Sequence, residues 1–263
     1  MIRSVRLYFR LILLQLRTAM EYRGDFWIAI LGALLQQAVG LIFLITFFGV
    51  VPSLGGWSVW NVAVLHGMIM TSLGLTEMFT EGAWRLRVDV NSGSFDRVLV
   101  RPLRPVLQQL SSMASIHGLG DAGLGVAMLI TGLVGSAPVW HWWTVPVLIM
   151  AGVSGTVICA AVNLITNLPV FWEPAAQSAF PTMVSRMRDF AKFPLTIYPG
   201  PLRIVVMVIP YAFVSYFPAL LVLGRGGPER WLGLATPVVA ALTVLAAAGL
   251  WRIALNRYQG VGH

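Results

Sequence analysis

His117 and Asp121 stand four residues apart in "IHGLGDAGLG", a spacing that on a helix sets an imidazole and a carboxylate on one face. In apolar surroundings such a pair suits a proton relay or a contact for a cationic substrate. A buried acid that fixes helix packing uses the same spacing, and is the reading favoured here. Glu77 and Glu81 repeat the spacing in "TEMFTEGAWRLR", where Arg85 follows one turn later. Gln37, beside Gln36, and Asn163, four before Asn167, lie in apolar runs. They can line a polar pathway or hydrogen-bond between helices, the second being the ordinary use of such residues.

Other chemistry finds little support. A phosphate loop needs glycines ahead of a lysine, and the single lysine, Lys192, sits in "DFAKFPL". His66, His117, His141 and His263 are scattered without metal spacing, and no G-x-S-x-G elbow accompanies the serines. The lone Cys159 lies in an apolar run, where packing is its role. The chain is therefore read as a non-enzyme, with no cofactor and no metal of its own.

These residues must be positioned by membrane helices. Of 263 residues 57% are hydrophobic and 11% charged, against about a quarter charged in soluble domains. Apolar runs near the roughly 20 residues that cross a bilayer recur along the whole length, which makes 1–263 a single all-α integral membrane domain. The formal charge of +8 reads as orientation rather than nucleic-acid binding.

Spans are read at 26–50, 58–80, 107–134, 143–168, within 174–223, and at 231–254. Arginines crowd the N-terminus and 81–104, whereas "VPSLGG" and "GSAPVWH" contain no Lys or Arg. Both termini and 81–104 are therefore expected in the cytoplasm. The tryptophans agree: Trp57, Trp60, Trp140, Trp142, Trp143 and Trp231 fall at outer ends, and Trp27, Trp84, Trp172 and Trp251 at inner ones. Arg3, Arg6, Arg10 and Arg17 share one face of 1–22, the pattern of a helix lying in the interface with guanidiniums toward lipid phosphates. Gly118, Gly120, Gly123 and Gly125 point to close helix approach.

Region 174–223 leaves two readings, because prolines and Arg186, Arg188, Asp189 and Lys192 interrupt its apolar run. In one, 174–192 is a cytoplasmic amphipathic helix and 201–223 a span. In the other, 174–192 crosses and the proline-rich remainder dips in and out from outside, which needs protein or water to cover its backbone.

The stretch 81–104 carries Arg87, Arg97 and Arg101 together with Asp96, turn glycine Gly93 and Pro102. A short helix ended by Gly93 and Pro102 makes a docking element, and Phe95 and Leu99, four apart, form its expected apolar anchor. Asp96, Arg97 and Arg101 would ring that anchor with charge-assisted contacts.

"SGSFDRVLVRPL" after the second span, "FPLTIYPGPLRIVVMVIPYAFVSYFPALLVLG" before the last, and "WRIALNRYQGVG" at the end together resemble the membrane subunits of ABC-2 type exporters. The resemblance runs over nearly the whole chain. It implies a six-span permease with an interfacial N-terminal helix in the bacterial cytoplasmic (inner) membrane. It also implies two copies of a separate ABC ATPase subunit, which hold the ATP and Mg, and a second permease subunit, a heterodimer ahead of a homodimer. In such proteins the connection between spans two and three is the ATPase contact. Carried over here, that assigns coupling to Arg87, Phe95, Asp96, Arg97, Leu99 and Arg101. The implied cargo is a hydrophobic or amphipathic small molecule, drug or lipid-like compound. A proton-coupled secondary transporter using His117 and Asp121, or a membrane scaffold, are the alternatives.

Overall fold

The computed structural model describes residues 2–21, 23–173 and 179–258, and among them no β-strand forms. Helix α1 (Ile2–Glu21) is followed by α2 (Arg23–Val50), α3 (Val59–Thr80) and α4 (Gly82–Asn91), then by two short helices, α5 (Asp96–Leu99) and α6 (Pro105–Leu110). Next come α7 (His117–Ser136), α8 (Thr144–Asn167), α9 (Ala179–Arg186), α10 (Gly200–Val208), α11 (Tyr216–Val222) and α12 (Thr236–Arg257). Among the described residues five helices are long and apolar enough to cross a bilayer, Phe26–Val50, Val59–Thr80, His117–Ser136, Thr144–Phe171 and Pro228–Arg257, or six if the bent pair Gly200–Val208 and Tyr211–Val222 is one span. Four correspond to the spans read at 26–50, 58–80, 143–168 and 231–254.

The span read at 107–134 is corrected. Its apolar pattern is divided between α6 and α7, with a break over 111–116. Two interactions hold the first piece apart. Gln109 Nε2 donates to the Gly82 carbonyl at 3.0 Å, and Ser111 Oγ donates to the Leu107 carbonyl at 2.8 Å, so the turn closes on itself. Gly82 packs so closely that a Cβ there would sit 1.9 Å from the Gln109 carbonyl oxygen.

Helix α3 is the centre of the bundle. Ser58 caps it, its hydroxyl oxygen accepting from the Asn61 amide at 3.4 Å, and Val62, Val64, Leu65 and Ile69 are buried. Its closest partner is α7, and the seam is made of glycine on both sides. A Cβ at Gly74 would lie 2.3 Å from the Ala122 amide nitrogen, and one at Gly125 would lie 2.4 Å from that of Thr71. Backbone meets backbone, the geometry that lets helices associate where lipid supplies no hydrophobic drive. Of the four glycines of "GLGDAGLG", Gly118 and Gly125 face α3, a Cβ at Gly120 would lie 3.1 Å from the Ala33 Cβ on α2, and one at Gly123 would have nothing within 4 Å.

Segment 179–222 follows an irregular course. Its α9 half runs beside α3, from a cavity shared with Trp84 and Glu77 to Phe193, whose ring meets His66 edge-on at 5.3 Å. The chain has then reached the end of the bundle that holds 51–58: Ile197 lies against Gly55. Helix α10 and the stretch Tyr211–Val222 follow, bent by 76°. Both ends of this pair return to the 51–58 end, where Tyr216 packs on Trp57 at 5.8 Å and Arg225 donates to the Gly56 carbonyl at 2.5 Å. Its bend, at Ile209 and Pro210, lies beside Ile165 and Met183 in the bundle. Beyond the bend Tyr211, Ala212 and Val214 are buried, the cover that irregular structure at membrane depth requires, while Met207 and Val208 before it are exposed. The bent pair counts either as one broken span, as in the first sequence reading of 174–223, or as a re-entrant loop, as in the second; residues 174–178 lie outside the described residues.

Candidate functional site

The connection between α3 and α7 folds into a small cap on the bundle. In α4, Leu86 and Val90 turn inward while Arg85 and Val88 face out. Buried Asp89 organises the cap. Its Oδ1 accepts from Arg85 Nε at 3.2 Å, its Oδ2 from Gln109 Nε2 at 3.0 Å, and its carbonyl from the Phe95 amide at 2.9 Å. The carboxylate thereby ties α4 to α6 and starts the turn to α5, which Gly93 completes at φ +71°.

Phe95 is where the expected geometry fails. It was expected to form an exposed anchor with Leu99, but it is fully buried in its own chain. Its ring meets Phe171 at 5.2 Å, Trp251 at 6.2 Å and Tyr258 at 5.2 Å, each close to edge-on. Asp96 is turned inward as well, accepting from the Tyr258 hydroxyl at 2.8 Å. Burial is the first cause that pushes the Tyr258 hydroxyl up to about 12, and the bond to Asp96 adds to it. The physical reason for the correction is simple: a phenyl ring meets three aromatic rings from α8's end and α12's end more favourably than it meets water.

The surface of the cap is made by other residues. Leu99 and Val100 are exposed, Val100 at 83%, and Arg97 and Arg101 flank them in the open. Arg97 Nη2 donates to Ser94 Oγ at 2.9 Å, which braces it against the turn. Arg87 is half-buried on α4. Val88 and Val100 were not singled out by sequence reasoning. The signal was present, in valines with no polar alternation inside an otherwise polar connection, but only the turn at Gly93 decides which apolar residues face out.

The polar intramembrane residues are partly brought together. Gln37, Glu77 and Asp121 line one cavity of about 330 Å³ together with Arg188, Asp189 and Lys192. Gln37 Nε2 donates to Asp121 Oδ1 at 2.9 Å, and Lys192 pairs with Asp189 at 2.7 Å. Just past the end of α3, burial pushes the Glu81 carboxyl up, against the pull of Arg188. His117 and Asn163 do not line this cavity. Asp121 is placed near the middle of a span by the sequence, but it stands in the second turn of α7. His117 opens that helix and is exposed, so the pair is no relay buried at mid-membrane. Asn163 is buried on α8, its backbone carbonyl accepting from Asn167 Nδ2 at 2.8 Å. The basic half of the cavity comes from the charges that interrupt 174–192, whose depth the sequence left open.

A family model described as ABC-2 family transporter protein matches residues 34–262, nearly all of the bundle and the whole cap. The chain belongs to the ABC-2 transporter family. Comparison with curated proteins and with solved structures found no match. As an ABC-2 transporter protein it is a multi-pass membrane permease of an ABC transporter, without an ATPase site of its own, and the family implies association with an ABC ATPase. In this ABC-2 protein the cap between α3 and α7 packs against two further spans. Leu86, Val90 and Phe95 form one apolar cluster with Leu164, Phe171, Trp251 and Ala254.

Proposed function

We propose that this permease takes its energy from a separate ABC ATPase that docks on the exposed ridge Arg97–Arg101, and that Phe95 passes the movement into the bundle. The observation that carries this reading is the division of labour within the seven residues Phe95–Arg101. Leu99 and Val100 offer an apolar contact between two arginines, while Phe95 behind them is clamped by aromatic rings from α8's end and α12's end. A ridge that is apolar at its centre and cationic at its rim has the composition of a protein-binding hot spot.

In this reading the α3–α7 connection and both termini lie in the cytoplasm of a bacterial cell, and segment 179–193 is the sixth crossing. The N-terminal helix lies in the interface, where exposed Arg6, Arg10 and Arg17 meet lipid phosphates. Two ATPase copies, carrying ATP and Mg, serve this chain and a second permease subunit, a heterodimer ahead of a homodimer. Helix α2 supports the pairing, since Ile28, Leu35, Ile42 and Phe43 are exposed along its length and need lipid or a sister chain to cover them. The transported compound is an exported amphipathic or hydrophobic molecule, entering through a bundle in which a polar cavity holds Glu77, Asp121 and Arg188.

The test is co-purification. A Leu99→Asp, Val100→Asp double variant should lose the ATPase by tenfold or more, about 1.4 kcal/mol, because it places two carboxylates at the centre of the contact. Its thermal stability in detergent should match the parent, since both side chains are exposed. Undiminished co-purification would remove the ridge as the docking site.

A further inference from the structure

On the flank of the bundle, where α6 of the cap meets α8 and α12, lies an open groove of about 540 Å³ that is separate from the polar cavity. Its walls are apolar and its floor is opened by small residues, Ala160 on α8 and Ala248 on α12 among them. Charge is confined to one end. Arg104, which precedes α6, and Arg252, in the last turns of α12, both line that end, and no carboxylate lines the groove. Both arginines are exposed, and among the described residues neither guanidinium has a hydrogen bond or ion pair. From Arg252 the groove extends along α12 to Val244, about 12 Å of helix rise, and along α8 to Val157.

We infer that this groove is a binding site for one anionic phospholipid, with its phosphate between Arg104 and Arg252 and an acyl chain along Ala160 and Ala248 toward Val157 and Val244. The charge pattern selects this occupant. Two unpaired guanidiniums at the end of a membrane helix match a lipid phosphate in position and sign, and their planar forks suit its oxygens. The remainder of the groove offers only apolar walls, which suit a hydrocarbon chain and would leave a free phosphate or a polar solute without partners. Arg252 stands in the last turns of α12, a helix long and apolar enough to cross a bilayer, which sets this end of the groove at the headgroup level.

The experiment is native mass spectrometry of the full chain released from detergent, titrated with phosphatidylglycerol and, separately, with phosphatidylcholine. One phosphatidylglycerol should bind in preference to phosphatidylcholine, and Arg104→Gln and Arg252→Gln should each reduce that preference by about fivefold. Arg104→Lys with Arg252→Lys should retain most of it, because charge is kept. Ala248→Trp, which fills the groove and leaves both arginines in place, should reduce binding of phosphatidylglycerol. Each variant is read only where its melting temperature equals the parent's, which the exposure of all three side chains favours. Equal retention of the two lipids, an unchanged preference in the double Gln variant, or equal competition by glycerol 3-phosphate would overturn the site. So would an Ala248→Trp variant that keeps its lipid but loses a dimer of this chain, which would make a second copy the occupant.

Discussion

Truncating Phe95 separates a residue that holds the cap together from one that touches a partner. Phe95 is completely buried and makes three edge-to-face contacts, with Phe171, Trp251 and Tyr258. Phe95→Ala in such a site costs about 3 to 5 kcal/mol, the upper part applying where the surroundings cannot collapse. Here they are three rigid rings anchored on two different spans, so the upper part is expected. At about 2 to 4 °C per kcal/mol for a chain of this size, the melting temperature should fall by roughly 6 to 20 °C. Leu99→Ala, at an exposed position, should cost within about 0.5 kcal/mol and shift melting by no more than about 2 °C. The assay is intrinsic tryptophan fluorescence during heating of detergent-purified protein, with Trp251 as a reporter inside the affected cluster. Phe95→Leu should fall between the two, because it restores volume without the ring contacts. A Phe95→Ala protein that melts like the parent yet loses its ATPase would refute the reasoning, since Phe95 would then be a surface anchor.

Two further outcomes follow from the bundle. Gly125→Leu should abolish correctly folded protein, because even a Cβ there would lie 2.4 Å from the Thr71 amide nitrogen, whereas Gly123→Leu, with nothing within 4 Å, should accumulate normally; monodispersity on size-exclusion chromatography reads both. Asp121→Asn keeps an acceptor for Gln37 and should melt within about 1 kcal/mol of the parent, while Asp121→Leu strands the Gln37 amide and should cost about 1 to 2 kcal/mol, with equal stability of the two variants counting against the Gln37 contact.

Hydropathy made most of the bundle legible, because a membrane helix is announced by length and apolarity together, as at Val59–Thr80 and Thr144–Phe171. The glycines of α7 were legible for the same kind of reason: a lipid-embedded seam needs small residues, and Gly118 and Gly125 face α3. Three features were not legible. The break at 111–116 depends on Gln109 reaching Gly82, a contact 27 residues away that no local pattern contains. The direction of Phe95 is set by partners more than seventy residues distant, Phe171 and Trp251, so helix spacing alone paired it with Leu99. The bent pair over 200–222 has the apolarity of a span, so the sequence left its course open between two readings, and only the structure places its two ends near Gly55 and Trp57. Of the polar residues, Gln37, Glu77 and Asp121 converge because three neighbouring helices carry them. His117 and Asn163 share the chemistry but not the face.

The most direct measurement is site-specific cross-linking from Val100 in the assembled transporter. In a Cys159→Ser background, Val100→Cys carrying a photo-reactive maleimide should yield a covalent adduct with the co-expressed ATPase on illumination, and Val88→Cys, exposed on α4 outside the ridge, should yield far less. An adduct from Val100 that strengthens or weakens between nucleotide-free and ATP-bound conditions is the predicted result. Equal adducts from both positions, or none from Val100 while the ATPase remains bound, would contradict docking on the Arg97–Arg101 ridge.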